Sequence, residues 1–249
     1  MNTLYPDNLF QNTFSPQPGI IVRYIKIPAI VDLVLRKAPG PNYKTMANLS
    51  FGPKDFTVPF LSAQELATVN QFKAQKKQVE WICGRFSLKT LVNEIRVSHI
   101  PLADIQISYR KKGAPFLNQY PEIPISLSHS NDYTAAALSQ NSKIAMGIDI
   151  EQIGKMPDPF FMKTAFTERE IDHMTQTRHE IFRHWTLKEA FLKYIKMGFN
   201  ESLHKVEIIE DEIFHHGKIQ HLNSGSKTID NQYILSFVAD PTLPQSDGM

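Results

Sequence analysis

Apolar residues recur at helical spacing over the stretch from Ser62 to about Glu94. Ser62 stands before the first apolar residues of this pattern, and Glu65 follows three positions later. A serine and a glutamate at this spacing form a capping box, which satisfies two backbone N–H groups at a helix start. We therefore predict a long helix here, with a break near Asn70 or Lys77.

A second helical pattern covers Phe182–Met197, and a shorter helix capped by Thr167 and Glu170 is predicted before it. At about 100° per residue, its apolar members fall on one side of the helix. They form the stripe of a helix that packs on a core, and they are Leu187, Ala190, Phe191, Tyr194 and Ile195.

Alternating or β-branched apolar residues mark the strands. The segment Ile20–Leu35 is rich in β-branched residues and predicts one or two strands. Further strands are predicted at Ile105–Tyr109, Ile123–Leu127, Tyr133–Leu138, Ile144–Ile150, Val206–Glu210 and Tyr233–Ala239. The third and fourth of these flank a polar QNSK segment, which predicts that they form a hairpin.

The order helix, strand, turn, strand occurs twice along the chain, so we expect an α+β fold made of two similar lobes. A pseudo-two-fold axis would relate the lobes, and the active site would lie in the cleft between them. The expected organisation is an extended lead-in at residues 1–19, an N-terminal α+β lobe at 20–140, a C-terminal α+β lobe with a metal site at 141–240, and a tail at 241–249.

Composition narrows the class of protein without indicating a reaction. Of the 249 residues, 42% are hydrophobic and 21% are charged, and no apolar run approaches the roughly 18–20 residues of a membrane span. The net charge of +2 is too small to require a nucleic-acid partner. Cys83, the single cysteine, is expected to be a small buried hydrophobe. Because the first residues lack the pattern of a signal peptide, we expect a cytoplasmic protein.

The helix Phe182–Met197 carries candidate chemistry on the face opposite its apolar stripe. Glu189 and Lys193 lie about 40° apart on the helix circumference, so a carboxylate and an amine share that face. An ordinary solvent-exposed pair at this spacing stabilises a helix by about 0.2–0.5 kcal/mol. Spacing by itself leaves open whether the pair faces water or a cleft.

Two more carboxylates, Asp149 and Glu151, share one side of the strand that begins at Ile144, because strand side chains alternate with period two. Together with Glu189 they would supply the oxygen ligands that Mg²⁺ prefers. A solvated surface pair is the ordinary alternative for Asp-x-Glu at a strand end. The Ser-His-Ser at 128–130 lacks the strand–turn–helix elbow of a serine hydrolase.

These motifs together resemble the 4′-phosphopantetheinyl transferase superfamily, in its larger, pseudo-dimeric type typified by the surfactin synthetase activator. GIDIE at 147–151 resembles the family's G-x-D-x-E. WTLKEAFLK at 185–193 resembles its W-x-x-K-E-A-x-x-K. The two motifs match the family in order and in spacing, with Glu189 38 positions after Glu151. The resemblance extends from about residue 61 to residue 239.

Three upstream segments carry the same resemblance, and they are SLSHS at 126–130, KKGAP at 111–115 and GRFSLK at 84–89. The chain departs from the family pattern at two of them. Ala114 stands where the family's turn usually has lysine, and Ser126 replaces the usual asparagine.

The resemblance implies a transferase that moves the 4′-phosphopantetheine arm of coenzyme A to a serine hydroxyl of an acyl or peptidyl carrier protein, releasing adenosine 3′,5′-bisphosphate. Asp149, Glu151 and Glu189 would hold Mg²⁺. Glu189 and Lys193 would be catalytic. Glu189 would take the serine proton, directly or through a metal-bound water, and Lys193 would either meet charge on the phosphate or protonate the leaving oxygen. The implied coenzyme A ligands are Arg85, Lys112, Ser128, His129 and Lys193. Arg110 and Lys111 of the same turn are further candidates, for which an ordinary solvated turn is the alternative.

Two other functions stay open on the same residues: a non-catalytic binder of coenzyme A or a nucleotide, and a Mg²⁺-dependent nucleotide hydrolase. The resemblance implies a carrier protein and coenzyme A as partners, in fatty-acid, polyketide or nonribosomal peptide synthesis. We expect a monomer with no nucleic-acid or membrane partner. The apolar Met156, Phe160 and Phe161 lie in a Pro-rich segment that we expect to help dock the carrier.

Overall fold

Helices and strands combine in a mixed α+β fold, which confirms the predicted fold class. The computed structural model describes residues 5, 7–35, 58–97 and 100–241. The helices are α1 (Ile27–Ile30), α2 (Ala63–Val69), α3 (Gln75–Ile95), α4 (Pro159–Ala165), α5 (Glu168–His173) and α6 (Arg178–Tyr194). The strands are β1 (Thr13–Phe14), β2 (Ile20–Lys26), β3 (Ile107–Tyr109), β4 (Pro115–Leu117), β5 (Ile125–Ser130), β6 (Tyr133–Ser139), β7 (Met146–Gln152), β8 (Val206–Ile209), β9 (Glu212–His215), β10 (Lys218–Gln220), β11 (Asn223–Ile229) and β12 (Tyr233–Ala239).

Two of the sheets share one strand topology. The first has the order β1-β2-β6-β5 and the second has the order β11-β12-β7, and all neighbours within them are antiparallel. In the first sheet, β2 precedes the long helix α3 and pairs with β6, which also pairs with β5. In the second sheet, β7 precedes the long helix α6 and pairs with β12, which also pairs with β11. The order β2-β6-β5 therefore recurs as β7-β12-β11. Smaller ribbons, β3-β4 and β10-β9-β8, follow the two long helices.

The two sheets pack on each other through apolar side chains. The cluster between them contains Val22 on β2, Ala135 on β6, Ile148 on β7 and Leu235 on β12. The long helices cover the other faces, α3 in one cluster with β6 and α6 in another with β12. Among the described helices, none is both long and apolar enough to cross a membrane.

A buried lysine–glutamate pair occurs twice and ties each short capped helix to the long helix that follows it. Lys89 Nζ lies 2.5 Å from Glu65 Oε2, and Lys188 Nζ lies 2.7 Å from Glu170 Oε2. Each lysine also donates to a backbone carbonyl just before the short helix. Both glutamates are the third residues of their capping boxes, so each carboxylate caps a helix start and pairs with a lysine.

The predicted helices are present, with shifted boundaries. The break expected near Asn70 separates α2 from α3, and the capping boxes at Ser62 and Thr167 are confirmed. Helix α6 begins four residues before the predicted start because the Thr177 side chain accepts a hydrogen bond from a backbone N–H and caps it there. It ends at Tyr194, shortly before Lys196 takes a left-handed φ of 59°.

The strand prediction for Ile20–Leu35 is wrong in its second half. The chain leaves β2 at residue 26 and continues as α1 and a π-helical turn over Val31–Leu35. Pro28 lies in the first turn of α1, where its missing N–H costs nothing. Ile27 and Ile30 are buried at helical spacing, so the apolar run serves a helix face rather than a strand.

The predicted hairpin between Tyr133–Leu138 and Ile144–Ile150 is also wrong. β6 pairs with β2 and β5, whereas β7 pairs with β12. The polar segment between them joins two different sheets. The tight hairpin lies one connection earlier, between β5 and β6, where Asn131 takes a left-handed φ of 46°.

Candidate functional site

The open edges of the two sheets meet where β5 runs beside β7. Three serines of β5 accept hydrogen bonds from the backbone of β7, and we call them the serine ladder. The pairs are Ser126 Oγ with Ile148 N at 3.0 Å, Ser128 Oγ with Ile150 N at 3.3 Å, and Ser130 Oγ with Gln152 N at 3.1 Å. The constant sequence offset means that the strands run parallel, and the hydroxyl oxygens take the place of strand carbonyls as acceptors.

The serine ladder also orients the two acids of β7. Ser128 Oγ donates to Asp149 Oδ1 at 2.7 Å, and Ser130 Oγ donates to Glu151 Oε2 at 2.6 Å. Both acids therefore lie on the side of β7 that meets β5, as the strand periodicity predicts. Ser130 and its hydrogen bond to Glu151 are absent from the predicted site. The period-two serines in SLSHS are the signal that could have indicated this role.

Helix α6 brings an amine to the same edge. Lys193 Nζ donates to Asp149 Oδ1 at 2.7 Å. The approach depends on Gly147, because a Cβ there would lie 2.2 Å from Ala190 O and 2.4 Å from Tyr194 N. Backbone of α6 thus lies directly on the strand, and the polar face of the helix looks toward the strand acids rather than only into water.

Burial and mutual repulsion both act on the charges of the three acids, Asp149, Glu151 and Glu189. Burial first, and then the negative charge of Asp149, raise the pKa of Glu151 and the pKa of Glu189 to about 7. The Oδ2 atom of Asp149 is buried and has no hydrogen-bond partner among the described residues. Carboxylate oxygens in a shared negative field, one of them unpartnered, have the chemistry that a hard divalent cation such as Mg²⁺ binds, although among the described residues these acids do not bring one oxygen each within 4.8 Å of the others.

His129 lies on β5 next to the serine ladder, and its side chain is 41% exposed, so protein covers more than half of it. Its Nδ1 lies 3.9 Å from Glu80 Oε2. Desolvation of the ring, followed by the positive charge of Lys193, lowers the pKa of His129 below its ordinary value. At neutral pH the imidazole is therefore uncharged and would contact an anion as a hydrogen-bond donor.

The basic turn between β3 and β4 holds Arg110, Lys111 and Lys112, which are all exposed. Lys112 Nζ contacts Met197 Sδ at 2.7 Å, so the turn reaches the segment that follows α6. The guanidinium of Arg110 lies 5.1 Å from the ring centre of Phe116. The turn thus connects the first ribbon to the helix that carries Lys193.

Arg85 lies apart from the carboxylates. It is buried on α3, stacks at 4.3 Å on the ring of Trp81, and its Nε lies 3.3 Å from Glu65 Oε1. It lines a cavity of about 310 Å³ whose walls include none of the three acids. Its Nη1 atom has no hydrogen-bond partner within the part of the chain that the structure describes.

Two motif residues have packing roles. Lys188, inside the W-x-x-K-E-A motif, is fully buried in its pair with Glu170. Trp185 stacks edge-on with Phe161 at 5.2 Å between ring centres. Phe161 therefore packs inward, whereas Met156 and Phe160 of the same segment are 52% and 80% exposed.

Carboxylates that can hold a metal ion, beside an amine that can meet negative charge, are the groups that metal-assisted phosphoryl transfer uses. Residues 145–238 match the family model described as the 4′-phosphopantetheinyl transferase superfamily. The matched segment contains Asp149, Glu151, Glu189 and Lys193. The predicted resemblance to this superfamily is thereby confirmed.

Relatives of the chain carry the same description. It is 29% identical over 164 residues to the L-aminoadipate-semialdehyde dehydrogenase-phosphopantetheinyl transferase of Rattus norvegicus, covering 59% of this chain and 52% of the relative. It is 24% identical over 149 residues to the 4′-phosphopantetheinyl transferase psf-1 of Bacillus pumilus, covering 58% and 62%. The chain thus spans about half the length of the mammalian relatives that it matches.

Proposed function

We propose that the protein transfers the 4′-phosphopantetheine arm of coenzyme A to a serine hydroxyl of an acyl or peptidyl carrier protein. The observation that carries the proposal is the convergence of three acids and an amine where β7 meets α6. Asp149 and Lys193 are joined at 2.7 Å, and burial first, then the charge of Asp149, raise the pKa of Glu151 and of Glu189. The names of the relatives support the same activity.

In the proposed reaction the carrier serine oxygen forms a bond to the phosphorus next to pantetheine. The bond from that phosphorus to the bridging oxygen breaks, and adenosine 3′,5′-bisphosphate leaves. Glu189 takes the serine proton, directly or through a metal-bound water, as a carboxylate general base can. Lys193 meets the charge that develops on the phosphate oxygens. Bound Mg²⁺, held by Asp149, Glu151 and Glu189, would supply neutralisation of the pyrophosphate charge.

Coenzyme A would lie between the basic turn and the serine ladder. Lys112 contacts Met197, four residues after Lys193, and this contact supports a position for Arg110, Lys111 and Lys112 beside the proposed phosphate region. His129 would donate a hydrogen bond from the β5 side, and Ser128 would donate its one hydroxyl hydrogen to the pyrophosphate by giving up its bond to Asp149 Oδ1. Arg85 stays a candidate ligand, and its unpartnered Nη1 supports an anion near its cavity rather than at the acids.

The site would sit between two related lobes, at residues 20–140 and 141–240. The recurring order β2-β6-β5 and β7-β12-β11 supports this pseudo-two-fold arrangement. The repeated pairs of Lys89 with Glu65 and of Lys188 with Glu170 support it independently. Action as a monomer in the cytoplasm stays a prediction.

The carrier protein would dock beside α4, where Met156 and Phe160 are exposed. Contiguous apolar patches on a surface mark places where partner proteins bind, and two exposed apolar side chains four residues apart on one segment motivate this location. We expect Met156→Glu and Phe160→Glu to raise KM for the carrier and to spare coenzyme A binding. A rise in KM for coenzyme A without a change for the carrier would contradict this location.

One experiment separates the proposal from its two alternatives. The protein is incubated with coenzyme A, Mg²⁺ and an apo-carrier protein, and the intact mass of the carrier is measured. Gain of one phosphopantetheine arm supports the transferase. Saturable coenzyme A binding without product would indicate a non-catalytic binder, and cleavage of coenzyme A without carrier modification would indicate a hydrolase.

A further inference from the structure

A glutamate and two histidines converge on the far side of α6 from the proposed active site. Glu201 Oε2 lies 3.1 Å from His215 Nε2 and 3.4 Å from His216 Nε2. One ligand atom from each of the three residues lies within 4.8 Å of the others. Two ring nitrogens thus approach the same carboxylate oxygen, His215 Nε2 at hydrogen-bond distance. A cation that replaced the shared hydrogen would have all three residues as ligands.

The spacing agrees with the size of a metal ion. Zinc binds imidazole nitrogen and carboxylate oxygen at about 2.0–2.2 Å in tetrahedral geometry. Two ligand atoms at that distance from a tetrahedral centre lie roughly 3.3 Å apart. The distances from Glu201 Oε2 to the nitrogens of His215 and His216 bracket that value.

The backbone holds these three ligands in place. His215 ends β9, and its ring packs edge-on against Phe191 with 5.2 Å between ring centres. His216 and Gly217 form the two-residue loop between β9 and β10, with φ values of 51° and 73°. Left-handed values at both positions are those of a type I′ hairpin turn. The turn therefore fixes the backbone from which the second imidazole projects.

The glutamate is oriented from the other side. Its Oε1 atom accepts a hydrogen bond from the backbone N–H of Ser202 at 2.9 Å, which leaves Oε2 for the histidines. A supporting hydrogen bond that fixes a ligand is a regular feature of metal sites.

We propose that Glu201, His215 and His216 bind one divalent transition-metal ion, with Zn²⁺ as the ion that best suits this ligand set. Two imidazoles and one carboxylate leave a fourth position for water or an external ligand. The ion would clip the segment after α6 to the β9–β10 hairpin. That segment begins at Met197, which contacts Lys112 of the basic turn.

The proposal is independent of the transferase function and is tested by metal binding. The untagged full chain is stripped with EDTA and titrated calorimetrically with ZnCl₂ in the presence of excess Mg²⁺. One Zn²⁺ per chain is expected to bind. His216→Asn, which keeps a residue that tolerates left-handed backbone, and Glu201→Gln should each weaken binding at least about 100-fold, the upper end of the loss from merely removing a supporting hydrogen bond.

Two controls separate this site from others in the chain. His221→Asn removes an exposed histidine of the next loop and should leave Zn²⁺ binding unchanged. Glu189→Gln alters the proposed active site and should also leave it unchanged. Absence of saturable binding to the unaltered chain would overturn the proposal. So would Zn²⁺ binding that survives both His216→Asn and Glu201→Gln, or that is lost in Glu189→Gln.

A spectroscopic readout adds the coordination geometry of the bound ion to the measured affinity. Co²⁺ in place of Zn²⁺ should give the intense visible absorption of a four-coordinate site in the unaltered chain and in His221→Asn. The same bands should be lost in His216→Asn. Bands of equal intensity in His216→Asn would contradict the assignment of that ligand.

Discussion

Lys193 donates a hydrogen bond from Nζ to Asp149 Oδ1 over 2.7 Å and so joins α6 to β7. Arg23 of β2 holds the position in the first sheet that Asp149 of β7 holds in the second. Each lies three residues after the start of its strand, and the two strands pair in the same register with β6 and β12. Arg23 forms a 2.5 Å ion pair with Glu94 of α3.

The same strand–helix contact thus occurs in both halves of the chain with its charges exchanged. Glu94 follows the buried Lys89 by five residues, as Lys193 follows the buried Lys188. In the N-terminal half the strand carries the cation, so it offers no carboxylate at the position that Asp149 occupies. This contrast supports assigning the proposed metal ligands to the C-terminal half.

Replacing the lysine of the Asp149 pair should reduce catalysis while preserving the fold. Lys193→Met keeps the length of the side chain and removes the charge that would meet the phosphate. We expect kcat to fall by about 10²–10³-fold, the loss typical of one electrostatic stabilising group. Lys143→Met, which alters an exposed lysine, is the matched control. Equal kcat in the two variants would refute the role of Lys193.

The buried ion pair of Lys188 with Glu170 should contribute to the free energy of unfolding. Both side chains are fully buried, and Lys188→Ala would leave the Glu170 carboxylate uncompensated. We expect the free energy of unfolding to fall by about 3–5 kcal/mol. Denaturant unfolding would measure the loss.

An exposed ion pair provides the comparison. Arg169 is 50% exposed and lies 3.4 Å from Glu207, so Arg169→Ala should cost less than about 1 kcal/mol. Similar losses for Lys188→Ala and Arg169→Ala would show that the buried pair has no special contribution.

Gly147 should tolerate no side chain. An alanine Cβ would lie 2.2 Å from Ala190 O, which is backbone of α6 and cannot rotate away. We expect Gly147→Ala to destabilise the protein by about 3 kcal/mol or more, at the upper end for overpacking. Gly154→Ala is the control, because its nearest neighbour is a side-chain atom of Phe182 at 3.3 Å. Thermal unfolding that ranks the two variants in the opposite order would contradict the close packing of α6 on β7.

Cys83 should be chemically silent in the folded protein. It is fully buried in the core cluster beside Phe86, and burial raises the pKa of its thiol. Only the thiolate is nucleophilic, so iodoacetamide should label it far more slowly in native buffer than in denaturant. Labelling at equal rates under both conditions would show that the thiol is accessible.

Local patterns predicted those elements whose causes are local. The capping boxes at Ser62 and Thr167 depend on residues three positions apart, and both are present. The alternation that put Asp149 and Glu151 on one side of a strand is likewise a property of neighbouring residues.

Elements that depend on distant partners were not predictable in the same way. The QNSK segment suggested a hairpin, but β6 and β7 find partners in other parts of the chain. Arg85 has the residue type of a phosphate ligand, yet its surroundings are set by Glu65, twenty residues earlier. The convergence of Glu201 with the histidines at 215–216 depends on how β8 and β9 pair.

The most direct test of the central claim is the turnover of Glu189→Gln with coenzyme A, Mg²⁺ and an apo-carrier, followed by the intact mass of the carrier. Glu180→Gln alters a glutamate of the same helix outside the proposed site and serves as the control. We predict that Glu189→Gln folds normally and transfers the arm at least about 10²–10⁴-fold more slowly, as loss of a general base requires. Unchanged turnover in a folded Glu189→Gln variant would contradict the account.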